Sequence, residues 1–365
     1  MRKTDFCHSK CDLAGQSKAS EPRRNRDRRG LLKVVSLVLF GCVCCTLAAQ
    51  DQRIVLVGTG SSVPLPLYHK WAEVFNQNNP TAQFQYRATG TTEGIAEAIR
   101  GSNDFGAGEA PLTPEERRQG NLTELPVVLI GIVPIFNLPG IQQLRLSGEV
   151  LADVYLGQIK KWNDPAIAKL NPGVALPNIP IRVVFRPGGK GSNYVFSDFL
   201  SKTSVKFHTQ IGRSASPKWP AGEPAERSAD MADKVKNNPG TLGYVELQYA
   251  DENHIAKASV LNPAGKFVIA TAASITAACT AAEAPSWDKF APSLTNAPGA
   301  DSYPIASFTW LYVHPYPKDP KRTAALVGLL NWGYTTGQGL ALQMGYSELP
   351  QALRTKVKAK VNAMH

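Results

Sequence analysis

Cysteine is almost absent from the chain after residue 50. Five of the six cysteines stand at positions 7, 11, 42, 44 and 45, which leaves Cys279 by itself. A single thiol forms no intramolecular disulfide and makes no metal site of its own. Because Cys279 lies among alanines in "TAACTAAEA", we expect it to be a small buried residue on a helix.

Motifs for catalysis and metal binding are also missing. "GGKGS" stops short of a P-loop, because Gly191 stands where G-x-x-x-x-G-K-[ST] requires Ser or Thr. "GTGSS" lacks the G-x-S-x-G spacing of a nucleophile elbow, and no base is visible beside the serines. The sequence therefore predicts a protein that is not an enzyme and needs no metal or cofactor. The histidines after residue 50, which show no metal-ligand spacing, are His69, His208, His254, His314 and His365.

The positive charge of the chain is concentrated at its N-terminus. The 365 residues have a formal net charge of +11, but residues 1–50 hold 10 Lys and Arg against 4 Asp and Glu. The other 315 residues hold 30 Lys and Arg against 25 Asp and Glu, a net charge of +5. Because no stripe of basic and aromatic residues accompanies this small excess, the sequence predicts no nucleic-acid binding.

Residues 1–50 are predicted to be a leader segment. The basic block "EPRRNRDRRG" precedes the apolar run Val34–Ala49, whose end offers small residues for signal-peptidase cleavage near Ala48 or Ala49. The main alternative is an uncleaved membrane anchor, since Leu31–Ala49 nearly reaches spanning length. A lipoprotein signal at "LFGC" fits less well, because bulky Phe40 stands where small residues are usual. We therefore expect a periplasmic or extracellular location, with the cleavage site and the true start codon left open.

Strand-like and helix-like stretches alternate after residue 53. The short apolar run "RIVLVG" precedes a helical pattern in which Tyr68, Trp71, Ala72 and Phe75 share one face. Near the C-terminus, "KRTAALVGLLNWGYTTG" predicts an amphipathic helix that ends at Gly337. This alternation predicts an α/β fold with largely parallel sheets.

The length suits about two domains, yet no Pro-rich or Gly/Ser-rich linker divides the chain. We therefore expect two lobes that are connected by strands crossing between them. The long apolar runs Val127–Phe136 and Ala306–His314 are the candidates for these strands. The expected boundaries are residues 51–130 plus 307–365 for lobe I and residues 131–306 for lobe II.

Three predicted strands run into clusters of Gly, Ser and Thr before a helix begins. The clusters are "GTGSSVP" (58–64), "TGTTEG" (89–94) and "RPGGKGSN" (186–193). A helix N-terminus presents free backbone N–H groups and favours negative charge. Because strand-to-helix turns of doubly wound folds meet at the carboxyl edge of the sheet, the three clusters are predicted to converge on one small anion.

A carboxylate also belongs to this predicted site. Glu109 lies between small residues in "NDFGAGEAP", and the third cluster supplies Arg186 and Lys190. An acceptor beside an anion is favourable only if the anion carries a proton, as phosphate does and sulfate does not at neutral pH. A carboxylate that faces sulfate would be repelled and left unpaired. We therefore hypothesise that the ligand is phosphate.

Together these segments resemble the periplasmic phosphate-binding proteins of bacterial phosphate ABC transporters. The resemblance covers roughly Ile54–Val357 and includes "GTGSSVPLPLYHKWAEVF", "GTTEG", "DFGAGEAPLT", "VYLGQIKKWNDPAI", "FRPGGKGSNYVFSDFL" and "PGTLGYVE". It implies a two-lobed Venus-flytrap fold of type II, with a mixed, mostly parallel sheet in each lobe and two crossing strands as the hinge. It also implies a monomer that captures inorganic phosphate between its lobes and delivers it to a membrane permease.

The resemblance assigns phosphate-binding roles to residues of all three clusters and to Glu109. Three positions depart from the family pattern: Glu109 stands for an Asp that accepts the proton, Lys190 for a hydroxyl donor, and Gly188 for an Asp that pairs with the arginine. The predicted phosphate-binding residues are Ser62, Val63 (through its backbone N–H), Thr91, Glu109, Arg186, Lys190, Gly191 and Ser192.

Lys190 leaves the selectivity of the predicted site open. It could pair with Glu109 and weaken the discrimination against sulfate, or point to solvent and leave Glu109 to act as the Asp would. Affinity, selectivity against sulfate or arsenate, and the identity of the permease are therefore not predicted. Two other functions are also left open: a membrane-anchored extracellular phosphate sensor, and a secreted phosphatase-like hydrolase, for which no nucleophile–base pair is visible.

Overall fold

The computed structural model describes residues 53–282, 293–315 and 319–364. Strands and helices alternate along these residues, which confirms the predicted α/β fold. The predicted leader and its membrane-anchor alternative lie outside the described residues. Within the described ranges, no helix is both long enough and apolar enough to cross a membrane.

Short strands precede most of the helices. The strands are β1 (Ile54–Gly60), β2 (Ala82–Ala88), β3 (Phe105–Gly108), β4 (Thr123–Phe136), β5 (Arg145–Leu146), β6 (Arg182–Phe185), β7 (Glu223–Pro224), β8 (Thr241–Glu246), β9 (Ser259–Leu261), β10 (Phe267–Val268) and β11 (Ala306–Val313). The helices are α1 (Leu65–Asn78), α2 (Thr91–Arg100), α3 (Pro114–Gly120), α4 (Gly148–Tyr155), α5 (Pro165–Leu170), α6 (Gly191–Thr203), α7 (Val205–Gln210), α8 (Ser228–Asn237), α9 (Leu247–Glu252), α10 (Ala272–Ala281), α11 (Pro320–Gly333), α12 (Thr336–Gln343) and α13 (Gln351–Asn362).

The strands form one long mixed sheet and one small sheet. The long sheet has the order β2-β1-β3-β11-β4-β8-β6-β7, and β10, β9 and β5 form the small one. At one end β1 pairs in parallel with β2 and β3, and at the other end β6 pairs in parallel with β7 and β8. β11 and β4 connect these two parallel groups through antiparallel pairs.

β4 takes part in both halves of the long sheet. Its residues 123–131 pair with β11, and its residues 132–136 pair with β8. All but its first residue are buried, as expected of a strand that is covered on both faces. The two apolar runs thus form long strands, whereas their action as a hinge and the lobe boundaries stay predictions.

The three predicted strand-to-helix corners are present. β1 is followed by α1, β2 by α2 and β6 by α6, with two to five residues in each connection. On α1 the predicted apolar face is buried at Tyr68, Trp71 and Phe75. β6 runs opposite to β1 and β2, because three antiparallel pairs separate the two parallel groups, so the corner after β6 points back toward the corners after β1 and β2.

The helix that was predicted to end at Gly337 is divided in the structure. Instead of one helix to Gly337, α11 ends at Gly333 and α12 begins at Thr336. The indole of Trp71 fills the space between the two helices, and its Nε1 donates to the Gly337 carbonyl oxygen at 2.9 Å. A Cβ at Gly333 or Gly337 would lie 3.0 or 2.8 Å from this ring, so both glycines allow the close approach.

Cys279 is buried on α10, as the alanine-rich segment predicts. Burial raises the pKa of its thiol to about 12. The thiol is therefore neutral and inert in the folded protein.

Candidate functional site

The three corners meet, and contacts between residues far apart in sequence join them. Arg186 Nη2, from the corner after β6, donates to Ser62 Oγ of the corner after β1 at 3.4 Å. The backbone N–H of Thr92, at the start of α2, donates to the Gly189 carbonyl oxygen at 3.4 Å. Gly191 lies against the side chains of Thr91 and Glu109. The convergence predicted from the sequence is thus present.

Arg186 is the buried cation of this site, with 1 % of its surface exposed. Its Nη1 donates to Ser228 Oγ at 2.9 Å, and its Nη2 donates to the Glu226 carbonyl oxygen at 2.8 Å. These partners are neutral oxygens. Gly188 has no side chain that could pair with the guanidinium, so the positive charge remains available to a ligand.

The backbone of Arg186 is fixed by the start of α6. Its N–H donates to Tyr244 Oη at 3.1 Å, and Tyr244 Oη donates to Asn193 Oδ1. Asn193 Nδ2 donates in turn to the carbonyl oxygens of Arg186 and Pro187 at 3.1 and 2.7 Å. This network holds the guanidinium in place before a ligand arrives, which lowers the entropy cost of binding.

Glu109 is the buried acid of the site. It follows β3 with 1 % exposure, and its Oε2 accepts from Thr91 Oγ1 at 3.2 Å. Burial raises the pKa of this carboxyl to about 8, and the charge of Glu246 adds to the rise. The hydroxyls of Ser61 and Thr91 and the Arg186 guanidinium offset it only partly. Glu109 therefore carries a proton at neutral pH when no ligand is bound.

Lys190 adopts neither of the two arrangements considered from the sequence. It is the residue before α6, and its Nζ lies 3.9 Å from Glu226 Oε2, with 23 % of the side chain exposed. Partial burial lowers the pKa of Lys190, and the positive charge of Arg186 lowers it further. The ammonium thus lies at the rim of the site and pairs loosely with the exposed carboxylate of Glu226. Glu109 accepts a hydrogen bond from Thr91 instead.

Gly191 and Ser192 are the first two residues of α6 and lie on the inner side of the site. A Cβ on Gly191 would lie 1.6 Å from Glu109 Oε2 and 2.6 Å from Thr91 Oγ1, so only glycine fits there. Ser192 is buried, with 1 % exposure. The N–H of Val63 donates to Ser61 Oγ at 3.1 Å, so its role as a ligand donor stays a prediction.

Several buried polar atoms of the site lack a protein partner. Within the described residues, Glu109 Oε1, Arg186 Nε and Ser192 Oγ form no hydrogen bond. Buried polar groups are normally paired, and leaving one unpaired costs about 1–3 kcal/mol. One carboxyl oxygen, one guanidinium N–H and one hydroxyl, each without a partner, form a suitable set of polar atoms for a small tetrahedral oxyanion. Among the same residues, no group of three or more His, Cys, Asp and Glu could hold a metal ion.

The sequence did not point to the residues that support Arg186 and Glu109. Ser228 opens α8 and Asn193 lies in the first turn of α6, so both resemble ordinary polar residues of helix starts. Ser61, Tyr244 and Glu246 stood within quoted motifs, but no local signal distinguished them. Their roles depend on contacts across 40 to 60 residues of sequence or more, which only the fold reveals.

Comparison with known proteins places the chain in a family. A family described as the PBP superfamily domain matches residues 47–335. The chain is 36% identical over 325 residues to the phosphate-binding protein PstS of Pasteurella multocida, covering 88% of this chain and 94% of the relative. The chain belongs to this family. It is also 34% identical over 314 residues to the PstS protein of Haemophilus influenzae, covering 85% of this chain and 93% of that relative.

Solved structures of the same fold agree with the architecture. A high-affinity periplasmic phosphate-binding protein bound with phosphate, PfluDING, superposes with a TM-score of 0.67 at 20% identity, covering 84% of this chain and 93% of that chain. A phosphate ABC transporter substrate-binding protein from Clostridium perfringens superposes with a TM-score of 0.60 at 17% identity, covering 81% of this chain and 100% of that chain. At these identities the likeness supports the fold alone, and it confirms the predicted two-lobed α/β architecture of the family.

Proposed function

We propose that the protein is an exported solute-binding protein that captures inorganic phosphate at the meeting point of the three corners. The observation that carries this proposal is the set of unpaired buried atoms on Glu109, Arg186 and Ser192. A tetrahedral anion bound there would satisfy all three, which removes the cost of leaving them buried and unpaired. The names of the curated relatives, phosphate-binding protein PstS, support the same ligand.

Each predicted site residue has a role in this proposal. Arg186 supplies a fixed positive charge, and Ser62, Thr91 and Ser192 supply hydroxyl donors. Gly191 supplies an N–H at the start of α6, where the helix dipole favours an anion. Lys190 attracts the anion from the rim, and the backbone N–H of Val63, which donates to Ser61 Oγ in the free protein, turns to the ligand. Glu109 exchanges a proton with the ligand.

Transfer to a membrane permease follows from the family rather than from the site. The solved relatives include proteins described as a phosphate ABC transporter substrate-binding protein and an ABC-type phosphate transport receptor. We propose that this chain acts likewise as a monomer outside the cytoplasmic membrane, after its leader has been removed. The permease would recognise the surface that forms when the lobes close on the ligand.

Calorimetric titration of the exported protein with phosphate, sulfate, arsenate and a phosphate monoester tests this function. We expect saturable binding of phosphate with one ligand per chain, and no binding of the ester, because Glu109, Arg186 and Ser192 are buried and leave little room for an ester group. Above about pH 8, where Glu109 ionises, the Glu109→Gln variant, which cannot accept a proton, should shift the preference toward sulfate. Absence of phosphate binding would overturn the proposal, and hydrolysis of the ester would instead favour the phosphatase-like alternative.

A further inference from the structure

Tyrosine hydroxyl groups bind the backbone of the segments that carry the predicted ligand residues. Four buried tyrosines, each with at most 6 % of its surface exposed, form such hydrogen bonds. Three of them lie on β2, β8 and β11, and the fourth follows α12. Distant parts of the chain thus converge on the site from its protein side. The four are Tyr86, Tyr244, Tyr312 and Tyr346.

Two of these hydroxyls hold the corner after β1. Tyr86 Oη donates to the Ser61 carbonyl oxygen at 2.7 Å. Tyr346 Oη donates to the Val63 carbonyl oxygen at 3.0 Å. Ser62, a predicted hydroxyl donor to the anion, lies between these two residues. The backbone is therefore fixed on both sides of Ser62.

A third hydroxyl holds the segment that carries the buried acid. Tyr312 Oη donates at 2.5 Å to the carbonyl oxygen of Ala110, the residue after Glu109. A Cβ on Gly108 would lie 2.6 Å from Tyr312 Oη and 2.9 Å from Thr91 Oγ1. The tyrosine hydroxyl therefore also lies beside Thr91, which donates to Glu109.

The fourth hydroxyl connects the buried arginine with the start of α6. Tyr244 Oη accepts from the Arg186 N–H at 3.1 Å and donates to Asn193 Oδ1. Asn193 lies in the first turn of α6, directly after Gly191 and Ser192. One hydroxyl thus sets the position of the guanidinium relative to the N–H groups at the helix start.

The protons of these hydroxyls are committed to the protein. Burial raises the pKa of each tyrosine above its ordinary value, so each phenol keeps its proton. A tyrosine hydroxyl has one proton to donate. In all four residues an oxygen of the protein accepts that proton. The hydroxyls therefore act on the backbone and side chains of the site, not on a ligand.

We propose that the four tyrosine hydroxyls are positioning groups that hold the ligand-binding segments in their bound arrangement before the anion arrives, and so raise its affinity. This inference rests on the proposed binding of phosphate. Donors that are already in place need not be ordered by the ligand, which lowers the cost of binding. Without a hydroxyl, a buried backbone group loses its partner, and the segment relaxes toward another one. Binding of the anion must then reverse this relaxation.

The test replaces each tyrosine by phenylalanine, which removes only the hydroxyl. Phosphate affinity is measured by calorimetry, and stability by urea unfolding in phosphate-free buffer. We expect each change to weaken phosphate about tenfold, the factor that corresponds to the net contribution of one hydrogen bond. The variants are Tyr86→Phe, Tyr244→Phe, Tyr312→Phe and Tyr346→Phe.

Tyr334→Phe is the matched control. Tyr334 is likewise buried, and its Oη donates to the Pro126 carbonyl oxygen at 2.8 Å. Pro126 lies on β4, which carries none of the predicted ligand residues. This variant should lose a similar amount of stability and keep the phosphate affinity of the natural protein. The comparison separates positioning of the site from general loss of stability.

Two outcomes distinguish this inference from the function on which it rests. If the natural protein binds no phosphate, the proposed function fails. If it binds phosphate but the four variants weaken binding no more than Tyr334→Phe does, only the positioning role is overturned.

NMR of the tyrosine hydroxyl protons in the natural protein gives a second readout that needs no variant. In selectively labelled protein without phosphate, the hydroxyl protons of the four tyrosines should already be protected from exchange with solvent. Protection that appears only after phosphate is added would show that the ligand orders these segments, which would also refute the inference.

Discussion

The protonation of Glu109 predicts an unusual dependence of stability on pH. In the folded protein the pKa of this carboxyl is raised from the ordinary value of 4.5 to about 8, with burial as the largest cause. The folded state therefore holds a proton that the unfolded chain releases above pH 4.5. As the pH rises between these two values, the free energy of unfolding falls, and above the higher value the loss is complete. The difference between the folded and unfolded pKa values corresponds to a loss of at most about 5 kcal/mol in the free energy of unfolding, at about 1.36 kcal/mol per pH unit.

The Glu109→Gln variant isolates this contribution. Its neutral amide fills nearly the same volume and does not titrate in this range. We expect urea unfolding in phosphate-free buffer to show that the natural protein loses stability relative to the variant as the pH rises from about 4.5 to about 8, by several kcal/mol. Glu73→Gln, at an exposed carboxylate paired with Lys70, is the control and should show no such trend. A difference between the natural protein and Glu109→Gln that stays constant across this range would refute the reasoning.

Three further predictions concern the guanidinium, the glycines and the thiol. Arg186→Ala should weaken phosphate binding about tenfold or more, since the charge-assisted hydrogen bond from the unpaired Nε contributes about 1.5–3 kcal/mol; calorimetry showing unchanged affinity would exclude this site. Gly191→Ala should lower the thermal unfolding midpoint, because its Cβ would lie 1.6 Å from Glu109 Oε2, whereas Gly328→Ala, in open space on α11, should raise stability by about 0.5–1 kcal/mol. Equal effects of the two glycine changes would contradict the packing at Gly191. The Cys279 thiol should react with a thiol reagent only after unfolding; rapid reaction of the native protein would contradict its burial.

Local patterns in the sequence predicted most of the fold that surrounds the site. Each of the three clusters indicated a helix start by its composition, since Gly, Ser and Thr are suited to turns and to free helix N-termini. The burial of α1 followed from helical spacing, and the two long apolar runs followed from their length. These signals lie within a few residues of one another, so no tertiary information was needed to read them.

The predictions failed where a distant residue decides the local structure. Trp71 contacts Gly333 and Gly337, where α11 ends and α12 begins, yet it lies 266 residues from Gly337. Lys190 turns toward Glu226 because the loop before α8 passes the start of α6. Neither partner could be identified from the segments themselves, because nothing in a short stretch of sequence records which other stretch will pack against it.

The amino-acid sequence by itself determined the alternation of strands and helices, the three anion-suited corners and the residue types that line them, because hydrophobic periodicity and turn chemistry act over short distances. The tertiary structure alone decided that Arg186 is held by neutral oxygens and that Glu109 is buried with a raised pKa. Burial and the distance between charges set the protonation of these groups, and both are properties of the folded chain.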